Sequence, residues 1–198
     1  LFRQKHEIPY LKIHLHKRIP MGAGLGGGSA DASFLLKGLN QEFGNQIGDT
    51  TLADMALDLG SDCPYFLKSG PAIGKGRGEV LEEFRIDLSG FWFYLFHPGI
   101  HVSTKEAYAG VSPSYPDIPL GEILGKPISD WQRILENGFE SSVFAKYPEI
   151  ERLKERLYGL GAVYASMSGS GSAIFGLFED QPRLDDELQG YLVWKESL

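Results

Sequence analysis

The clearest chemistry in this chain sits in Gly22, Gly24, Gly26, Gly27, Gly28 and Ser29, within the string MGAGLGGGSADAS from Met21 to Ser33. Glycine tolerates positive φ and lets the main chain approach a ligand without a Cβ in the way, so successive N–H groups can converge on an anion. Ser29 adds a hydroxyl at the same place. This is the composition of a phosphate-binding turn, and nucleotide chemistry is what it would serve. Asp62, in Gly60-Ser61-Asp62, offers a carboxylate that can orient an attacking hydroxyl and accept its proton, or that merely caps a turn ahead of Pro64. Ser168, Gly169, Ser170 and Gly171 form a second glycine-rich run, compatible with another anion-binding turn or with a plain hairpin connection.

The flanks of the first run argue against a flexible linker. Upstream, Ile13, Leu15 and Ile19 alternate with His14, His16 and Arg18, which predicts a strand over Lys12–Ile19 with one wet face. Downstream, Ala32, Leu35, Leu36 and Leu39 predict a helix from Ala30 to Phe43, with Ser29 or Asp31 as its N-cap. A second helix is expected over Thr50–Leu59, stopped by Gly60. Further on, Phe91–Phe96 reads as a strand, Trp131–Phe144 and Pro148–Leu160 as helices, and Ala162–Ala165 and Ala173–Phe178 as strands joined by the Ser168 run. The pattern is α/β of the α+β type, with a largely antiparallel sheet. The turn-rich stretch after Asp62 places a domain boundary near 75, giving segments 1–75 and 76–198.

Gly22, Gly24 and Gly27 formally satisfy G-x-G-x-x-G, but the strand ahead of them alternates where a Rossmann first strand would be continuously apolar. The chain has no H-R-D or D-F-G triplet for a protein kinase and no Gly-Lys-Ser/Thr for a Walker A loop. Instead, KRIPMGAGLGGGSADAS, from Lys17 to Ser33, resembles the second signature of the GHMP small-molecule kinases, and SMSGSGSAIFGLF, from Ser166 to Phe178, resembles their third. Within that superfamily, LGSDCPYFL, GRGEVLE, PGIHVSTKEAY and NGFESSVFAKYPEI are similar to the 4-diphosphocytidyl-2-C-methyl-D-erythritol kinase family.

That resemblance implies a two-domain GHMP-kinase-like fold with a partial N-terminal ATP-binding domain and a ferredoxin-like C-terminal domain. It implies ATP with Mg2+, bound by Lys17, Pro20, Gly22, Gly24, Leu25, Gly26, Gly27, Gly28 and Ser29, with Lys17 near the adenine or ribose. Asp62 becomes the catalytic carboxylate, Thr104 binds near the reacting group, Tyr108 stacks on cytosine, and Ser168–Gly171 lies close to the nucleotide. The implied reaction phosphorylates the 2-hydroxyl of 4-diphosphocytidyl-2-C-methyl-D-erythritol in non-mevalonate isoprenoid (terpenoid) biosynthesis. Sibling GHMP kinases acting on mevalonate or homoserine, and a nucleotide-binding remnant without turnover, are the alternatives. Family members carry a substantial segment ahead of the ATP loop, with a lysine near the reaction centre and a tyrosine-histidine pair. The resemblance therefore implies that this chain lacks that N-terminal part and is impaired in turnover. Two family features are altered: Ala30 stands where a second serine is usual, and Asn137-Gly138 replaces an Asn-Asp pair, leaving local capping by that carboxylate in doubt.

Composition sets bounds consistent with this. A length of 198 residues with 42% hydrophobic content supports one or two packed domains. A formal charge of −7 disfavours a nucleic-acid or anionic-membrane surface. The lone Cys63 excludes an intrachain disulfide, and with no apolar run of membrane length a cytoplasmic location is expected. His14 and His16 without carboxylate or thiol partners fall short of a metal site, so no structural metal is expected. A small-molecule substrate is the expected partner, and the oligomeric state, monomer or homodimer, stays open.

Overall fold

The computed structural model describes residues 1–111 and 117–198. The chain divides into two compact units, one of residues 1–19 and 26–85, the other of residues 20–25 and 86–198. The glycine-rich run is thus shared, with Pro20–Leu25 belonging to the second unit and Gly26 onward to the first.

The first unit contains α1 (Phe2–Lys5), α2 (Gly27–Glu42), α3 (Asp49–Leu59), α4 (Cys63–Leu67) and a hairpin of β1 (Ala72–Lys75) with β2 (Val80–Glu83). Its core is small: Phe2, Leu36, Ile47, Leu52, Met55, Ala56 and Cys63. Helix α2 buries Ala30, Ser33, Leu36 and Asn40. Its two polar members are satisfied. Ser33 Oγ donates to Cys63 O at 2.7 Å, and the Asn40 amide both donates to Ile47 O at 2.9 Å and accepts from Ile47 N at 3.0 Å. A buried polar group without a partner would cost about 1–3 kcal/mol, so these bonds are what make the helix face tolerable in a core. Gly44 at φ 86° and Asn45 at φ 52° end the helix in the left-handed region.

Two expectations fail here. Helix α2 begins at Gly27, not Ala30, and Gly26 at φ 62° is its N-cap with no side-chain cap bond; Ser29 and Asp31 lie inside the helix and cap nothing. The stretch Lys12–Ile19 forms no strand. Its alternation is real, but a strand needs a neighbour's N–H and C=O groups, and no ladder reaches it among the described residues; Ile13 and Leu15 are consequently more than half exposed.

The second unit contains β3 (Trp92–Phe96), α5 (Thr104–Ala109), α6 (Leu120–Leu124), α7 (Ile128–Ile134), α8 (Glu140–Lys146), α9 (Pro148–Gly159), β4 (Tyr164–Met167), β5 (Ile174–Phe178), α10 (Asp186–Tyr191) and β6 (Leu192–Ser197). Its sheet runs β4-β5-β3-β6, every pair antiparallel. A split β-α-β-β-α-β order of this kind is the ferredoxin-like arrangement. Both faces of the sheet are covered. Tyr94, Phe96, Ile174 and Phe178 pack with Ile150, Leu153 and Leu157 of α9, while Phe93, Phe175 and Leu177 pack with Trp131 of α7. That double burial explains why Phe91–Phe96 reads as a continuous apolar run. Pro148 starts α9 where its missing N–H is harmless.

The helix expected over Trp131–Phe144 is broken. α7 stops at Ile134 and α8 starts at Glu140, because the Asn137 Oδ1 accepts from Phe139 N at 2.9 Å and bends the chain there.

Candidate functional site

Within the second unit, the two glycine-rich runs meet. Ser168 Oγ donates to Gly24 O at 3.0 Å, and Ala173 N donates to Ala23 O at 3.1 Å. Gly24 has φ +73°, and a Cβ there would lie 1.9 Å from the Ser168 carbonyl oxygen. Only glycine permits both the angle and the approach. A Cβ on Gly22 would fall 2.0 Å from Nδ1 of His101, a neighbour that sequence patterning did not single out. Ala23 is buried. The Ser168–Gly171 run does connect paired strands β4 and β5, so the hairpin reading holds, and it also seats the first turn.

The distribution of hydrogen bonds along the first run is uneven. The carbonyls of Ala23, Gly24 and Gly26 are engaged, by Ala173 N, Ser168 Oγ and Ala30 N respectively. Yet no N–H from Gly22 through Ser29 donates to a protein acceptor among the described residues. Leaving consecutive donors without acceptors is costly unless water or a ligand takes them. Gly27, Gly28 and Ser29 are also the first turn of α2, where the helix dipole favours negative charge.

In the first unit, α4 packs across the beginning of α2. A Cβ on Gly26 would lie 2.8 Å from the Phe66 ring, and Ser33 holds the Cys63 carbonyl. Asp62 stands at the head of α4 with its side chain exposed and makes no capping bond; its polar neighbour is Ser61, whose Oγ donates to Asp62 Oδ1 at 3.4 Å. The glycine end of α2 and the Asp62 end of α4 are thus parts of one packed helix pair. Lys17 is ion-paired with Asp31 of α2, near Gly27, and is not simply solvated.

Thr104 opens α5 at its first helical position, with Ser103 as N-cap, so Thr104 is not the cap. Tyr108, one turn later, is 64% exposed and meets Phe139 edge-on at 4.8 Å between ring centroids. It is not a core residue. Glu106 on the same helix is ion-paired with Lys146 and accepts from Tyr147 OH at 3.1 Å, and the Lys146 bond holds its carboxyl below the ordinary value.

Residues 1–70 match the family described as GHMP kinases N terminal domain, and residues 120–190 match GHMP kinases C terminal. The chain is 49% identical over 183 residues to the 4-diphosphocytidyl-2-C-methyl-D-erythritol kinase of Cytophaga hutchinsonii, covering 92% of this chain and 68% of that protein. It is 48% identical over 198 residues to the protein of the same name from Parabacteroides distasonis, covering 99% of this chain and 73% of that one. A crystal structure of 4-(cytidine 5'-diphospho)-2C-methyl-D-erythritol kinase superposes with a TM-score of 0.70 at 36% identity, covering 81% of this chain and 59% of that one. Homoserine kinase from Cytophaga hutchinsonii, at 21% identity and TM-score 0.66 over 87% of this chain and 60% of that one, shares the fold. The chain therefore spans about two thirds of the length of the relatives and somewhat less of the solved structures.

Proposed function

Because this chain belongs to the GHMP kinases, within the 4-diphosphocytidyl-2-C-methyl-D-erythritol kinase family, we propose that it transfers the γ-phosphoryl group of ATP to the 2-hydroxyl of 4-diphosphocytidyl-2-C-methyl-D-erythritol, a cytoplasmic step of non-mevalonate isoprenoid biosynthesis. The observation that carries this reading is the row of acceptor-free N–H groups from Gly22 to Ser29 beside engaged carbonyls. Such a segment attracts anions and repels little. Phosphoryl transfer asks the protein mainly for positioning and charge neutralisation, which backbone amides supply.

In this mechanism the amides of Gly22, Gly24, Leu25, Gly26, Gly27, Gly28 and Ser29 hold the phosphates, with Pro20 and Lys17 flanking them. The substrate oxygen forms a bond to the γ-phosphorus as the bond to the β–γ bridging oxygen breaks and ADP leaves. Asp62 takes the hydroxyl proton; its lack of a capping bond leaves the carboxylate available for that role. Thr104 contacts the acceptor, and the exposed Tyr108 ring stacks on cytosine, an interaction worth about 1–3 kcal/mol. Ser168, Gly169, Ser170 and Gly171 support the turn. Ser29 Oγ, in the first turn of α2, would be the group to hold Mg2+ arriving on the nucleotide, and the ion when bound would offset phosphate charge.

The test is ADP formation with 4-diphosphocytidyl-2-C-methyl-D-erythritol, mevalonate or homoserine as acceptor, in this chain and in a form extended to the relatives' length. Turnover with the cytidine acceptor, and competition by cytidine nucleotides, is expected. Asp62→Asn should lower kcat by about 10²–10⁴-fold while ATP affinity is retained. No turnover in either form, or turnover that Asp62→Asn leaves unchanged, overturns the reading or the residue's role respectively.

A further inference from the structure

The Ser168 loop is gripped from one side by Asn137 of the α7–α8 break and by Glu140, the first residue of α8. Asn137 Nδ2 donates twice, to Met167 O at 2.7 Å and to Gly169 O at 2.8 Å, while its Oδ1 accepts from Phe139 N. Glu140, 9% exposed, accepts from Met167 N at 2.9 Å and Ser166 Oγ at 3.2 Å through one oxygen, and from Lys154 Nζ at 2.6 Å through the other. Met167, the last residue of β4, therefore has its N–H held by one side chain and its carbonyl by the other.

The constraint passes onward. Ser168 N donates to Ala173 O at 2.8 Å and Gly171 N to Ser168 O at 2.9 Å; Ser168 Oγ and Ala173 N then fasten the first turn through Gly24 O and Ala23 O. The carbonyls of Met167, Ser168 and Gly169 are all engaged, whereas the N–H groups of Gly169 and Ser170 find no acceptor among the described residues. A loop in that condition presents donors and withholds acceptors, which is what a neighbouring anion requires.

We infer that Asn137 and Glu140 are positioning residues for nucleotide binding: they fix the Ser168 loop with its carbonyls engaged and, through Ser168 and Ala173, set where the Gly22–Leu25 turn lies. This rests on the reading of that turn as phosphate-binding. Asparagine suits position 137 because it supplies two donors and an acceptor at once; aspartate keeps the shape and the acceptor but loses both donors. Glu140 works with Lys154 as a pair, since a buried carboxylate needs its counter-charge.

The experiment compares Asn137→Ala, Asn137→Asp and Glu140→Ala with Leu153→Ala, a substitution on α9 in the same core that removes none of the loop's hydrogen bonds. ATP binding is measured calorimetrically with Mg2+ present, and amide exchange is followed at Ser168, Gly171 and Ala173, whose N–H groups make the loop bonds. Loss of these bonds should weaken ATP binding about tenfold in all three loop variants, Asn137→Asp included. Protection at Ala173 should fall in them further than in Leu153→Ala at a matched loss of Tm. Native affinity and Ala173 protection in Asn137→Asp overturn the inference. Failure of the unsubstituted chain to bind ATP would instead sink the phosphate-binding reading, and the exchange data would then decide the positioning role alone.

Discussion

The two glycine-rich runs look alike in composition and are held in place differently by the fold. Ser168–Gly171 closes a hairpin whose strands are buried on both faces, and side chains from Asn137 and Glu140 hold its base. Gly22–Ser29 has the carbonyls of Ala23, Gly24 and Gly26 tied and every N–H without a protein acceptor among the described residues. The second run is braced by side chains from α8 and the break before it; the first is fastened through the second and leaves the longer row of donors open. A glycine run is therefore diagnosed less by its glycines than by which half of each peptide the fold has already used.

The strongest way to break this contrast is at the point of contact. Gly24→Ala would need positive φ in a non-glycine residue and would drive a methyl into the Ser168 carbonyl, 1.9 Å from the Cβ position. Strain of about 1–3 kcal/mol and overpacking of about 1–3 kcal/mol act together there. The turn should undock, and ATP affinity should fall by two orders of magnitude or more, since each factor of ten is about 1.4 kcal/mol. Titration with ATP alongside urea unfolding reads both consequences; tolerance of alanine would mean the runs do not rely on each other.

The braced run was the more legible of the two in sequence. Strands on either side of Ser168 and the helix over Pro148–Gly159 follow from period and punctuation, because Ile150, Leu153 and Leu157 and their strand partners meet in one core. What periodicity cannot supply is a partner. Lys12–Ile19 has a strand's alternation and no ladder. Nor does periodicity see a side chain that prefers a distant carbonyl, as Asn137 does when it breaks the expected Trp131–Phe144 helix to reach Met167 and Gly169. The motif around Asp62 was visible as letters, while its uncapped state and its place on the helix packed against α2 required coordinates.

The bracing can be sharpened through Tyr164, which opens β4. It is 4% exposed, its hydroxyl donates to Leu135 O at 3.2 Å, and burial pushes its phenol up to about 12. A raised pKa means the native state holds the proton more tightly than the unfolded chain. The stability from this group is thus fully present below about pH 10 and is lost as pH rises towards 12, amounting to about 2–3 kcal/mol at the upper end. Denaturation midpoints taken across that range should fall more steeply for the native chain than for Tyr164→Phe. Parallel slopes would show that Tyr164 is not held protonated by burial at the start of β4.

The smallest effect separates a binding glycine from a structural one. Gly28 lies in the first turn of α2 without a positive φ, and a Cβ there meets nothing within 4 Å. Gly28→Ala should therefore raise stability by up to about 0.5–1 kcal/mol, because alanine loses less backbone entropy in a helix. ATP affinity should nevertheless fall, because the added methyl would stand where the phosphates approach the main chain. Thermal unfolding and nucleotide titration on the same variant give the two signs. A glycine needed only for the fold would lower both quantities, and one in a mere connector would leave affinity untouched, so opposite signs are the signature that the open run faces a ligand.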